Sequence, residues 1–269
     1  MTLPGRWTAG LVGLVALCLA GAVHAGRSCE AKPLGVDAVA RGLTLAERTH
    51  QALDAEHARS GTQVVVLARA GQDLSAYGLR YSHLGFAYRT PEGAWRVVHK
   101  LNHCGTATAA LYRQGLGEFF LDDLWRHEAA WVVPAPEVQA RLAPLLRDTS
   151  RVAALHQARY NLVSYPWSVK YQQSNQWAIE TLALAMEPGV TQREQAQAWL
   201  RLKAYAPTTL RLGPFTRLGA RVSAANVAFD DHPDSKRFAD RIETVTVDSV
   251  FAWLPRAGLG GAPVRLALP

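Results

Sequence analysis

Two histidines and one serine-headed helix carry most of the chemistry that this sequence offers. His83 stands in "YSHLGFAYR" and His99 in "WRVVHKLN", two extended segments joined by the turn-forming "TPEGA". On a strand Tyr81, His83, Gly85 and Ala87 share one face, and His99 shares one with Val97 and Trp95. Paired as a hairpin, the strands set both imidazoles side by side, unless the register slips by one residue. Imidazole is matched to proton transfer near neutral pH, and a second polar group fixes which nitrogen holds the proton. The third element is "YQQSNQWAIETLALAM", apolar almost all round after Gln176, with Glu180 its one charge. Ser174, Asn175 and Gln176 gather at its start. Ser and Asn cap helices well, but a helix N-terminus also favours a nucleophile's anion or a developing oxyanion. If this helix packs on the histidine face, Ser174 is a nucleophile, His83 its base and His99 the orienter, the constellation of acyl-transfer enzymes. Asn175 and Gln176 are then candidate oxyanion donors. The plainer readings stand beside this one: Ser174 as a cap, the amides satisfying loop carbonyls, and the histidines satisfied within the sheet.

The elements around these residues read as α+β. Thr44-Leu45-Ala46-Glu47 has the form of a capping box opening a helix to about Arg59, and "TQVVVLARAG" is a buried strand. "GTATAALYRQG" and "LGEFFLDDLW" read as helical, "AAWVVP" as a short strand, and Pro136 opens a helix through "EVQARLAPLLRD". Thr191-Gln192-Arg193-Glu194 is a second capping box, and the alternation in "ETVTVDSVFAWL" predicts a closing strand. The expectation is one antiparallel sheet with a buried helix packed on it and an inserted helical region at about 105–160.

The first 25 residues predict an export signal, with one charge (Arg6), the apolar run "LVGLVALCLAGA", and "VHA" before Gly26 as a cleavage signal. Residues 26–269 are then a single exported domain, periplasmic or extracellular, long enough for a full core. No later stretch is apolar enough to span a bilayer. The net charge of +7 is spread along the chain, which argues against a nucleic-acid partner. After cleavage Cys29 and Cys104 remain, and in an oxidising compartment two thiols most often pair. The alternative is a reactive Cys104. His99, His103 and Cys104 are also zinc-ligand types, which Asp230, Asp231 and His232 would supplement, but a strand and its following loop do not bring them together by spacing alone. No metal or cofactor is expected.

The blocks "SHLGFAYR", "WRVVHKLN" and the later "QSNQWA" resemble the circularly permuted branch of the papain-like, NlpC-type hydrolases, in which the histidine strand precedes the nucleophile's helix. The helix motif of the lecithin:retinol acyltransferase relatives, of the form N-C-E-H-F-V, is similar to "QSNQWA". The resemblance puts Ser174 in the position of the nucleophilic cysteine and Trp177 in that of the motif's aromatic. It puts His83 in that of the catalytic histidine and His99 in that of the third polar residue. It spans about 60 residues through short motifs. It implies a permuted papain-like core and an amide or ester hydrolase or acyltransferase. A small peptide or acyl substrate, drawn from the cell envelope, follows from the same resemblance. Nearly the whole chain after residue 25 also resembles a secreted bacterial family of unknown function, with "SHLGFA", "VVHKLN" and "SNQWAIE" as its blocks. Serine in place of cysteine is the departure. A hydroxyl is far less acidic than a thiol, which implies a slow serine hydrolase or an inactive relative that keeps the cleft for binding.

Overall fold

The computed structural model describes residues 33–269; the expected signal segment and Cys29, with its pairing to Cys104, lie outside them. The chain runs α1 (Val36–Ser60), β1 (Val64–Ala70), β2 (His83–Arg89), β3 (Trp95–Asn102), β4 (Ala109–Gly115), α2 (Leu116–Phe120), β5 (Arg126–Val132), α3 (Pro136–Arg147) and α4 (Thr149–Ala153). It continues with α5 (Ser174–Met186), α6 (Arg193–Leu202), β6 (Thr208–Arg211), α7 (Pro214–Ser223), α8 (Asp234–Arg237), β7 (Arg241–Thr244), α9 (Val247–Arg256) and β8 (Val264–Ala267). The fold is α+β. Six strands form one antiparallel sheet in the order β4-β3-β2-β1-β5-β8, and β6 and β7 form a separate ribbon.

Strand alternation divides the apolar side chains between two layers. Val64, Val66, Leu84, Phe86, Tyr88 and Val98 face α3, α5 and α9. Val65, Leu67, Ala87, Trp95 and Val97 face α1 and α2, where they meet Leu45, Leu53, Phe119 and Phe120. Every residue of β1 is buried because both of its faces are covered. A third, smaller cluster, including Leu210, Phe229 and Ile242, lies under the ribbon. Among the described residues no helix is long and apolar enough to cross a membrane.

Several local expectations are corrected. Segment 105–160 is not a helical insertion, since it contributes β4 and β5 to the main sheet. Thr44 lies inside α1, eight residues past its start, and its hydroxyl donates to the Ala40 carbonyl instead of capping. The second box lies one residue later than its sequence form: Gln192 is the cap, and Gln195 Oε1 accepts its N–H at 3.0 Å. The closing alternation ends at Thr244, after which Thr246 Oγ1 accepts the Ser249 N–H and starts α9. A threonine capping a helix and a threonine in a strand look alike in sequence.

The buried helix α5 is held by its one charge. The Glu180 carboxylate, fully buried, accepts from Arg193 Nε (2.7 Å) and Nη2 (3.0 Å), Gln197 Nε2 (2.9 Å), Gln176 Nε2 (3.2 Å) and Gln172 Nε2 (2.5 Å). Gln172 Oε1 in turn accepts from Lys100 Nζ at 2.8 Å, so the network ties α6 through α5 to β3. Glu180→Ala leaves the Arg193 guanidinium buried without its counter-charge, and the expected loss is about 3–5 kcal/mol of stability. Urea unfolding checks this, and a loss below about 1 kcal/mol would show that the charge pair does not hold the helix.

Candidate functional site

The histidine pair forms as the hairpin predicts. His83 Nε2 and His99 Nδ1 lie 2.8 Å apart, and His99 Nε2 lies 2.8 Å from Gln114 Oε1 on β4. Gly85 permits the approach, because a Cβ there would sit 2.7 Å from the His99 Cβ and 2.8 Å from the Val98 carbonyl oxygen. An amide oxygen only accepts, so His99 holds its proton on Nε2 and offers a bare Nδ1. His83 must then donate through its own Nε2, which leaves His83 Nδ1 as the free lone pair. Three residues on three neighbouring strands thereby fix one basic nitrogen.

Phe119 of α2 packs on both rings, with centroid separations of 6.0 and 5.3 Å. Arg69, the β1 register partner of His83, lies beside them and is held by Asp122 and by the Phe119 carbonyl. Burial, then the Arg69 charge, then His99 push His83 well below the usual imidazole range. Burial and Arg69 bring His99 down to about 4, against smaller upward pulls from Gln114 and Asp122. Both rings are neutral at neutral pH.

The histidines share the face of α1 and α2, whereas α5 packs on the opposite face. The expectation that the helix covers the histidine face is therefore corrected. Ser174 nevertheless lines the same cavity as His83, a space of about 590 Å³ that Arg69, Asn102, Gln114 and Tyr160 also line. The route is a gap in the sheet. The β2–β3 ladder runs from Arg89↔Trp95 to Phe86↔Val98 and stops, although both strands continue. Beyond it the Leu84 N–H donates to Asn175 Oδ1 at 3.1 Å, so the start of α5 occupies the position of a strand carbonyl. Ser174 and His83 share a cavity wall and make no hydrogen bond to each other.

Ser174 is the first helical residue and not the cap, which is Gln173 without a side-chain capping bond. The buried Tyr160 hydroxyl lies against the Ser174 hydroxyl and N–H; burial raises its pKa, and these two groups oppose the rise. Asn175 and Gln176 are engaged elsewhere. Asn175 Nδ2 donates to the Val245 carbonyl at 3.3 Å. Gln176 accepts from Ser164 Oγ at 2.7 Å and donates to Glu180 and to the Pro166 carbonyl. Trp177 is fully buried against Phe86. These three brace the helix start.

The alternative metal set does not gather. Both nitrogens of His99 are taken, and His232 is held by Asp231 Oδ1 (3.0 Å) and the Glu243 carbonyl (2.9 Å). Among the described residues no three His, Cys, Asp or Glu side chains come together as a metal cluster. Sequence reasoning missed Arg69, Gln114 and Tyr160. Only Arg69 carried a signal, as a charge inside the apolar strand "VVVLARA".

The model of an uncharacterized protein family conserved in bacteria, DUF2145, matches residues 56–254 and so takes in every residue of this site. No curated protein and no solved structure matches the chain.

The depressed imidazoles predict a pH dependence. Above about pH 6.5 folded and unfolded chains both hold these histidines neutral, and the stability is complete. As pH falls, the unfolded chain takes up protons that the folded chain refuses. Stability should fall with pH from about 6.5 toward about 4, where folded His99 protonates, by up to about 1.4 kcal/mol per pH unit for each ring. Imidazole NMR should show both rings neutral at pH 6 with the proton on Nε2. A His99 titrating near its ordinary value, or carrying its proton on Nδ1, would break the relay.

Proposed function

The chain belongs to this uncharacterized bacterial family, and we propose that it is an amide or ester hydrolase or acyltransferase with Ser174 as nucleophile, His83 as base and His99 as orienter. The observation that carries the reading is the His83–His99 contact of 2.8 Å in the wall of the cavity that Ser174 lines. In this reading His83 Nδ1 takes the Ser174 proton as Oγ attacks the carbonyl carbon of the substrate. The resulting oxyanion lies near the start of α5, where free N–H groups and the Tyr160 hydroxyl supply donors. His83 then gives the proton to the leaving group, and water or an acceptor alcohol or amine resolves the acyl-serine. The helix opening on the nucleophile, beside an antiparallel sheet that carries the base, supports a permuted papain-like core. An exported enzyme acting on small envelope-derived peptides or acyl groups is the corresponding biological reading.

One observation favours a second reading. Arg69 and burial both oppose a protonated His83, and a hydroxyl stands where the resemblance to the papain-like hydrolases places a thiol. An inactive protein that binds a ligand in the same cavity has those properties.

Acylating probes separate the two. A fluorophosphonate should label Ser174, identified by peptide mapping, and His83→Ala should slow labelling by at least about 100-fold. Ser174→Cys should react with iodoacetamide faster than an unactivated cysteine, and adding His83→Ala should remove most of the gain. An unlabelled Ser174, together with an engineered thiol indifferent to His83, would leave the binding reading.

A further inference from the structure

The outer face of α7 differs from the rest of the surface. None of its residues is buried, and Phe215, Leu218 and Val222, spaced three and four apart, are 89%, 61% and 81% exposed. That spacing places all three on one face of a helix. Thr216 and Ala220, on the other side, line a second cavity, and Ser223 lines the cavity of Ser174 and His83. The helix is thus an outer wall of both cavities, with its apolar ridge turned to solvent. Phe238, 71% exposed, lies in the turn beside it, where Asp240 joins Arg217 of α7 and accepts the Leu212 N–H.

The charge around this ridge that is not already ion-paired has one sign. Arg221 flanks it on α7 and is exposed. Arg211, two residues before the Gly213 cap, is the register partner of Arg241 across the β6–β7 ribbon, and both are exposed. Like charges directly opposite on paired strands repel. Neither arginine has an acidic partner among the described residues, whereas the local acids Asp234 and Asp240 are already paired with Arg237 and Arg217.

We propose that α7 docks on an anionic lipid bilayer, with Phe215, Leu218 and Val222 at the acyl boundary and Arg211, Arg221 and Arg241 among the headgroup phosphates. A short apolar ridge bordered by arginines is the pattern of an interfacial helix. Anionic headgroups relieve the Arg211–Arg241 repulsion. A second copy of this chain, meeting the same face, would bring arginine against arginine. The proposal is independent of the chemistry at Ser174, and docking sets both cavities against the membrane surface.

The test is flotation of the purified protein, its N-terminus established by mass spectrometry, with vesicles of equal parts phosphatidylglycerol and phosphatidylcholine, and with phosphatidylcholine alone. Binding should require the anionic lipid and weaken as salt is raised. The double variant Phe215→Ser, Leu218→Ser, carrying the same N-terminus, should lose at least about tenfold in partition coefficient. Arg211→Glu gives Arg241 an opposite charge across the ribbon, so the fold is kept while the surface loses positive charge; binding should fall about tenfold or more. Circular dichroism checks that both variants fold. Equal binding by the wild type and the folded serine variant, or no preference for the anionic vesicles, overturns the proposal. A dimer in gel filtration that the serine substitutions dissociate also overturns it and assigns the ridge to a second copy.

Discussion

A carboxylate with no exposure must be met by donors wherever the chain places it, and Glu180 imposes that condition on the middle of this structure. The helix that carries it is apolar almost all round, so hydrophobic burial alone leaves its rotation about its own axis weakly determined. The polar contacts supply what burial does not. Arg193 and Gln197 from α6, Gln172 from the preceding loop and Gln176 one turn earlier converge on the carboxylate from fixed directions. Arg193 also donates to the Val169 carbonyl at 2.9 Å, which ties the loop before the helix into the same contact. A buried ion pair gains little net stability over a well-packed apolar pair, but it penalises every orientation that breaks it. Rotation of α5 is set in this way, and the aim of its first residues follows.

The second constraint is the unfinished β2–β3 ladder. Histidines on one face and a helix on the other would ordinarily be separated by the thickness of the sheet. Here the ladder ends at Phe86↔Val98, and Asn175 takes the N–H of Leu84 that β3 leaves unpaired. The helix start thus reaches the sheet edge-on and not across it, and Ser174 enters the cavity that His83 lines. Asn175 serves this junction with both ends of its amide: its oxygen closes the gap at Leu84 and its nitrogen donates to the Val245 carbonyl. Gly85 belongs to the same device, since any side chain there would push His99 out of reach of His83.

Much of this was legible in the sequence. The hairpin, the helix opening at Ser174 and the pairing of His83 with His99 follow from strand periodicity and the turn between them. The face on which α5 packs does not, because an all-apolar helix gives no directional signal and a ladder break depends on one amide 91 residues away. "GTATAALYRQG" was ambiguous for a related reason. Alanine and glutamine favour a helix locally, but β3 offers a complete register from Arg96↔Gly115 to Asn102↔Ala109, and that pairing overrides propensity. Gln114 could not be singled out until that strand existed. Tyr160 lies in a loop with no periodic pattern at all.

Arg69 disfavours a charged imidazole, yet the same guanidinium favours any negative charge that develops nearby. The acyl transfer proposed for Ser174 would create both kinds of charge together, an imidazolium at His83 and an oxyanion beside the helix start. Arg69 is held by Asp122, which offsets part of its effect, and Asp122 itself pulls the His99 pKa upward. The site therefore stabilises an ion pair better than it stabilises an isolated imidazolium. A hydroxyl nucleophile fits that balance, because its proton moves only as the oxyanion forms, whereas a resting thiolate–imidazolium pair would need His83 charged before any substrate arrived. On this account serine at position 174 agrees with the neutral histidine relay behind it.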